Sequence, residues 1–520
     1  MTVAPPPQRT GRHKPPQPDT GRRSTAPAPG EGPRRWPHLL RSARQRLPLP
    51  LNGADRDILW LYLLTRVGLW VTSYSVAWLF PADGEARNAP SALSRWAQWD
   101  WTHFLHIAQE GYFPPGSGPG TEGWDNREAF FPGFPLLLRA VHVVIPNWTL
   151  AGLLISFVAG AVVVLALART ARLHLPGEGT ALGPVRRALR TGTGSGARVV
   201  EPRHAGSGAH VPVQHDEGGS RAPVVEQRYE GGSVALEAVQ RSARDGRNGT
   251  APAPVLAPAP QRRTSAESGT PEKGHRTVLF LLLSPCAIFL AAGYTETLFL
   301  ALALPAWLAA QRHHWATAAI LTALATTVRI SGLFVAAAIG VHFLITAWRA
   351  RSSRAWRPLG WTLVPALPAL FYSAYLHAGT GDWMAWKHAQ ERGWFREFHT
   401  PWESWGTTWK AAFGGEYSAG YAFMWQAELV AMVVGLILLG VLLRLRRWPE
   451  AVYIALSLWA LSTSYWFTSV PRATLLWWPL WTLLAAWSLR TPRVKTAYLA
   501  VAAPLMVVFA VSFLSGRWTG

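Results

Sequence analysis

Two apolar runs, 277–311 and 315–348, limit the fold of this 520-residue chain more than any other feature. As single helices rising 1.5 Å per residue they would be roughly 52 and 51 Å long, against a bilayer hydrocarbon core about 30 Å thick. Each must therefore turn back on itself. The breaks are expected at Gly293-Tyr294-Thr295-Glu296 and Arg329-Ile330-Ser331-Gly332, where glycine and charge coincide. Further apolar runs lie at about 58–80, 149–169, 359–378, 427–443, 450–468, 473–490 and 496–515. Lipid offers no partner to backbone amides, so such runs must be helical. The expected fold is an all-α polytopic membrane protein with about eleven crossings.

Charge and aromatic content divide the rest. Residues 1–50 hold 10 basic residues, 12 prolines and one aromatic, Trp36; residues 171–276 hold one aromatic, Tyr229. Neither can bury enough apolar surface to offset chain entropy, so both read as disordered, one a tail and the other an insert. The remaining 364 residues are about 12% charged, half the usage of a soluble domain. This gives a tail (1–50), a first membrane helix, outer loop and second membrane helix (51–170), the insert (171–276), and a membrane domain (277–520) with an outer loop at 379–426.

The formal charge of +21 reflects arginines in tails and short loops, which fits positive-inside topology better than a nucleic-acid partner, and no nucleic acid is expected. The lone Cys286 excludes an internal disulfide framework or cysteine-based zinc cluster. No signal peptide is evident in the first 50 residues, which leaves the first spanning helix as the membrane signal. A bias to Ala, Arg, Gly and Pro points to a bacterial plasma membrane.

Arg312, the cluster Arg349/Arg351/Arg354/Arg357, the run Arg444/Arg446/Arg447, and Arg490/Arg493/Lys495 fall on one side when crossings are counted, and that side is cytoplasmic. Residues 82–147, the corners at Tyr294–Glu296 and Arg329, and residues 379–426 then face outward. Within the 364-residue body only Asp55, Asp57 and Glu450 stand apart from these acid-rich outer segments. Phe131–Pro146 reads as a re-entrant or interfacial helix or as a short crossing, with parity favouring the former.

Three constellations have chemical potential. Asp100, His103, His106 and Glu110 share one helical face, with Trp101, Phe104, Leu105, Ala108 and Tyr112 lining much of the other side. That is an interfacial helix whose polar stripe is either solvated or functional; His103, His106 and Glu110 also have metal-compatible spacing but no evident fourth ligand. Asp55-Arg56-Asp57 looks like a metal and nucleotide-sugar motif, yet its place before the first helix favours N-capping. The tryptophans of the loop 379–428, near Asp382, Lys387, His388 and Arg392, suit either carbohydrate stacking or an aromatic belt.

The run Gln98-Trp99-Asp100-Trp101 through Glu110-Gly111-Tyr112, followed by Ala129-Phe130-Phe131-Pro132-Gly133-Phe134-Pro135, resembles the first-loop signature of the PIG-V family. That family comprises dolichyl-phosphate-mannose-dependent mannosyltransferases and bacterial relatives of the GT-C superfamily. Ser284–Phe289 with Ala291–Phe299, and Ala325–Gly332, resemble its second and third blocks. Ile330-Ser331 departs from the usual Ser-Asn, the 171–276 insert is foreign, and Val470-Pro471-Arg472 is the nearest match to a C-terminal arginine motif.

By this resemblance the fold is GT-C-like, with a large first extracytoplasmic loop carrying interfacial helices. Asp100 is implied as the catalytic base. Trp99, His103, Tyr294, Glu296, Arg329, Lys387 and Arg472 are the candidate substrate contacts. The implied reaction moves mannose, with inversion, from a polyprenyl-phosphate donor to a glycolipid, glycan or protein acceptor on the extracytoplasmic face of the plasma membrane. No metal or other cofactor is expected. A transporter or flippase of lipid-linked sugars is the competing class.

Overall fold

A computed structural model describes residues 51–79, 91–116, 118–173 and 265–519, and those residues are helical or irregular, with no strand among them. The tail 1–50 and all but the ends of the 171–276 insert lie outside the described residues. From Gly53 onward the chain forms one compact unit.

The first half comprises α1 (Gly53–Leu79), α2 (Asp100–Glu110), α3 (Gly133–His142), α4 (Trp148–Arg172), α5 (Ser265–Leu282), α6 (Thr295–Gln311), α7 (Trp315–Val328) and α8 (Gly332–Ala350). A 3-10 stretch, Ser353–Ala366, leads into α9 (Leu367–Thr380). Next come α10 (Ala385–Trp394), α11 (Pro401–Phe413), α12 (Ala419–Arg444), α13 (Trp448–Ser462), the one-turn α14 (Val470–Ala473), α15 (Trp478–Arg490) and α16 (Pro492–Leu514).

Local chemistry explains several starts. The Asn147 side chain caps α4 by accepting from the Leu150 amide at 2.9 Å. A capping box between Thr400 and Glu403 opens α11. Pro492 begins α16, where a missing amide hydrogen costs nothing. Both long apolar runs break: α7 ends at Val328 and α8 begins at Gly332, as expected, while α5 already ends at Leu282 and the connection 283–294 precedes the expected corner, with Thr295 and Glu296 opening α6.

Five helical stretches among the described residues are long and apolar enough to cross a membrane: Trp148–Arg172, Gly332–Ala350, Ser353–Thr380, Ala419–Arg444 and Pro492–Leu514. Eleven crossings would require the remaining long helices to cross as well. On α1, Trp60, Leu64, Val67, Val71, Tyr74 and Trp78 recur at three- and four-residue steps and are all exposed. A stripe of that kind needs an apolar solvent, and lipid provides one.

Helix ends sort by charge. Arg169 and Arg172 close α4, Arg312 follows α6, Arg349 closes α8, Arg444 closes α12 and Arg490 closes α15. The opposite ends of α4, α6, α8 and α15 gather near Trp101, Glu296, Arg329 and Trp477.

Several expectations need correction. Residues 265–276, assigned to the insert, begin α5, and Arg276 donates to the Ser488 carbonyl at 2.7 Å. Asp55 lies in the first turn of α1, where the dipole favours a carboxylate, but it is also buried and paired with Arg172 at 2.8 Å and Arg169 at 3.2 Å, tying α1 to the end of α4. The 131–146 segment, by contrast, follows the favoured non-crossing reading: it contains only the ten-residue α3, about 15 Å long, too short to cross. Its Arg139 donates to the carbonyls of Ala108 (2.6 Å) and Gln109 (2.8 Å), which fastens it to the end of α2.

Candidate active site

The α2 helix is packed into the protein, not laid on its surface. Trp101, Phe104, Ile107 and Ala108 are buried. The Trp101 ring sits between Gly152 of α4 and Gly293 before α6, where a Cβ on either glycine would collide with the ring. These glycines permit an approach that any larger residue would block. Trp99, immediately before α2, has φ of 53°, an unusual value for an aromatic residue, and its indole donates to the Arg517 carbonyl at 3.2 Å. Asp100 is thus held at the start of α2 by packing from one side and by the C-terminal segment from another.

The polar stripe of α2 is divided among different partners. His106 Nδ1 lies 2.8 Å from Asp125 Oδ2, and Glu110 pairs with Arg127 at 2.8 Å. His103 stacks on Phe130, with ring centroids 4.7 Å apart, and its Nδ1 is 4.0 Å from Asp125. Burial pushes the His103 pKa below its ordinary 6.5, although Asp100 and Asp125 oppose the shift. His103, His106 and Glu110 therefore do not converge as ligands, and among the described residues no group of three His, Cys, Asp or Glu is placed to hold a metal.

Asp100 instead faces three other segments. Arg472 Nη1 donates to Asp100 Oδ2 at 2.7 Å, and Arg472 Nε donates to Glu296 Oε1 at 2.5 Å. The same Glu296 oxygen accepts from Arg329 Nη1 at 2.7 Å, while Arg329 also donates to Thr295 Oγ1 at 2.7 Å. Arg472 lies over the rings of Phe289 and Tyr294, each 4.8 Å from its guanidinium carbon. The Tyr294 hydroxyl donates to the Gln98 carbonyl at 2.6 Å, bracing the turn before Asp100.

Electrostatics follow this geometry. Burial pushes the Asp100 pKa upward, but the charge and hydrogen bond of Arg472, with smaller effects of His103 and Arg329, bring it below the ordinary 3.8. Burial opposes the charge on Arg472, yet Glu296 and Asp100 outweigh it and raise its pKa. Asp100 retains 22% side-chain exposure while Glu296 has none, so only the former can meet a substrate directly.

A cavity of about 710 Å³ opens beside this network. Trp99, Asp100, Tyr294, Arg329, Lys387 and Arg472 line it. Glu296 stands behind the two arginines, and His103 lies outside the lining. Lys387 pairs with Glu391 on its own helix at 2.5 Å. The loop tryptophans differ in position: Trp386 and Trp394 line the cavity, whereas Trp383, Trp402 and Trp409 are exposed.

Sequence reasoning missed four contributors. Glu428 of α12 is fully buried and accepts from the amides of Ser469 (2.9 Å) and Val470 (2.7 Å). It thereby fixes the turn that presents Arg472, with Ser469 in the left-handed region at φ 64°. Trp518 and Thr519 form part of the cavity wall, and Trp518 packs on Trp425 at 4.7 Å. Arg396 also lines the cavity. Nothing local marks these residues, except that a lone Glu in an apolar helix such as Glu428 invites the search for a partner.

Residues 262–356 match the family described as mannosyltransferase (PIG-V), the family that the sequence resembles. The matched segment contains Tyr294, Glu296 and Arg329; Asp100 and Arg472 lie outside it. No curated protein and no solved structure matches the chain.

Proposed function

From the premise that residues 262–356 belong to the PIG-V mannosyltransferase family, we propose that the protein is an integral-membrane glycosyltransferase drawing mannose from a polyprenyl-phosphate donor. The observation that supports this most is the meeting of Asp100, Glu296, Arg329 and Arg472, from four separate segments, at one cavity. One accessible carboxylate beside two guanidinium groups suits a displacement in which a hydroxyl loses a proton while a phosphate leaves.

In the proposed reaction an acceptor oxygen bonds to C1 of the sugar as the bond from C1 to the phosphate oxygen breaks. The proton goes to Asp100 and the electron pair to the phosphate, so the anomeric centre inverts. A positioned base of this kind contributes about 10²–10⁴ in rate. Arg472 holds Asp100 in its charged form but also weakens it as a base. A donor phosphate competing for Arg472 would loosen that pair and raise the proton affinity of Asp100. Glu296 keeps both arginines aligned. The donor lipid phosphate is a co-substrate, and the proposal calls for no metal.

The arginine-rich helix ends lie opposite the cavity, which supports a cytoplasmic place for the former and an extracytoplasmic one for the latter, in a plasma membrane crossed about eleven times. The acceptor would be a glycolipid, glycan or protein on that face. The test is to supply membranes containing the protein with radiolabelled mannosyl-lipid donor. Label transferred to a second lipid, glycan or protein is expected. Movement of intact donor between leaflets, without transfer, would instead identify a transporter.

A further inference from the structure

Four cationic side chains line the cavity: Arg329, Lys387, Arg396 and Arg472. Three already have carboxylate partners: Arg329 and Arg472 share Glu296, Arg472 also holds Asp100, and Lys387 holds Glu391. Arg396 is different. It follows α10 in an irregular segment, its Nε is buried without a hydrogen-bond partner, and it makes no ion pair among the described residues. Its backbone is anchored on both sides. The Arg396 amide donates to the Gln390 carbonyl at 3.4 Å, and the adjacent Phe395 carbonyl accepts from the Tyr465 amide at 3.1 Å. Phe395 itself has φ of 53°, in the left-handed region.

A buried guanidinium Nε without a partner is costly, because that N–H gives up water and receives no charge-assisted hydrogen bond in return. Burial, Arg329 and Arg472 disfavour its charge while the more distant Asp100 and Glu428 favour it, and with no carboxylate in ion-pair contact the guanidinium has room for a counter-ion. The same cavity offers an apolar route. Ile330 and Phe334 at the start of α8, with Ala460 and Leu461 at the end of α13, line it alongside Phe398. A ligand that satisfies both parts has an oxyanion at one end and a hydrocarbon chain at the other.

We propose that Arg396 is the resting site's free phosphate contact, binding the phosphate of a polyprenyl carrier while its chain lies toward α8 and α13. This rests on the glycosyltransferase reading above only for the sugar; the lipid phosphate is recognised by Arg396 with or without it. On transfer, the carrier changes from a phosphodiester with one negative charge to a monoester that can bear two. A guanidinium with no internal carboxylate to release responds to that gain more fully than Arg329 or Arg472, which are already neutralised.

The experiment uses the full chain in lipid nanodiscs, with citronellyl phosphate as probe and citronellol and inorganic phosphate as controls, binding being read by tryptophan fluorescence and thermal shift. Citronellyl phosphate is expected to bind, with neither control matching it. Arg396→Gln should weaken it roughly ten- to a hundredfold, the worth of one charge-assisted contact. Arg396→Lys should recover part of the loss and show that the fold is intact. Unchanged affinity in a folded Arg396→Gln protein would overturn the assignment. Equal stabilisation by inorganic phosphate would overturn the lipid-carrier part. Arg396-dependent binding in a wild-type protein that transfers no mannose would support the phosphate site while the glycosyltransferase reading fails.

Discussion

Asp100→Asn separates catalysis from folding more cleanly than any other change in this site. The substitution keeps the shape and an acceptor oxygen for Arg472 Nη1, now 2.7 Å from Asp100 Oδ2, but removes the ability to take a proton. Loss of a positioned base costs about 10²–10⁴ in rate, or about 3–5.5 kcal/mol in barrier height. The folding penalty should be smaller. Arg472 keeps its bond to Glu296, and what weakens is one charge-assisted hydrogen bond at a partly exposed carboxylate, about 1–3 kcal/mol before allowance for solvent screening. Transfer from radiolabelled mannosyl lipid and thermal unfolding in the same detergent preparation give the two quantities. The expected result is loss of turnover by at least about a hundredfold with the protein still inserted and folded. Wild-type turnover would remove Asp100 as the base. Inactivity matched by unfolding would show that the residue is structural.

Glu296→Ala should be the more destabilising change, because Arg472 and Arg329 lose the oxygen they share; breaking a buried pair costs about 3–5 kcal/mol, and a melting curve close to wild type would contradict that role. Gly293→Ala pushes a methyl group against the Trp101 ring, so a stability loss of about 1–3 kcal/mol is expected together with reduced transfer, and Gly152→Ala should behave alike; normal melting and activity in both would refute the wedge. For pH, the sign follows from a depressed carboxyl pKa. Asp100 stays ionised as pH falls through 6.5 and loses its charge only below 3.8, so base-dependent kcat/KM should show no acid limb near 6.5; one that vanishes in His103→Gln would transfer the base role to His103.

Helix-forming apolar runs and their breaks were legible because they depend on local facts: bilayer thickness, hydrogen-bond satisfaction, and glycine beside charge. Thus the Arg329–Gly332 break was readable. The status of α2 was not. Its periodicity shows that Asp100, His103, His106 and Glu110 share a face, but not that Asp125 and Arg127 would cover three of them and leave Asp100 to Arg472. Asp55 misled for a similar reason. A carboxylate near a helix start suits the dipole, whereas its partners Arg169 and Arg172 lie more than a hundred positions away.

Composition and spacing by themselves determined that this chain needs lipid around its helices and that its two longest apolar runs must break. Only the tertiary structure decided that residues 100, 296, 329 and 472 form one network, that Glu428 sets the Arg472 turn, and that Arg396 is left without an anion. The physical reason is range: backbone preference and hydrophobicity act within a few residues, whereas a charged site depends on distant groups brought within about 3 Å of one another.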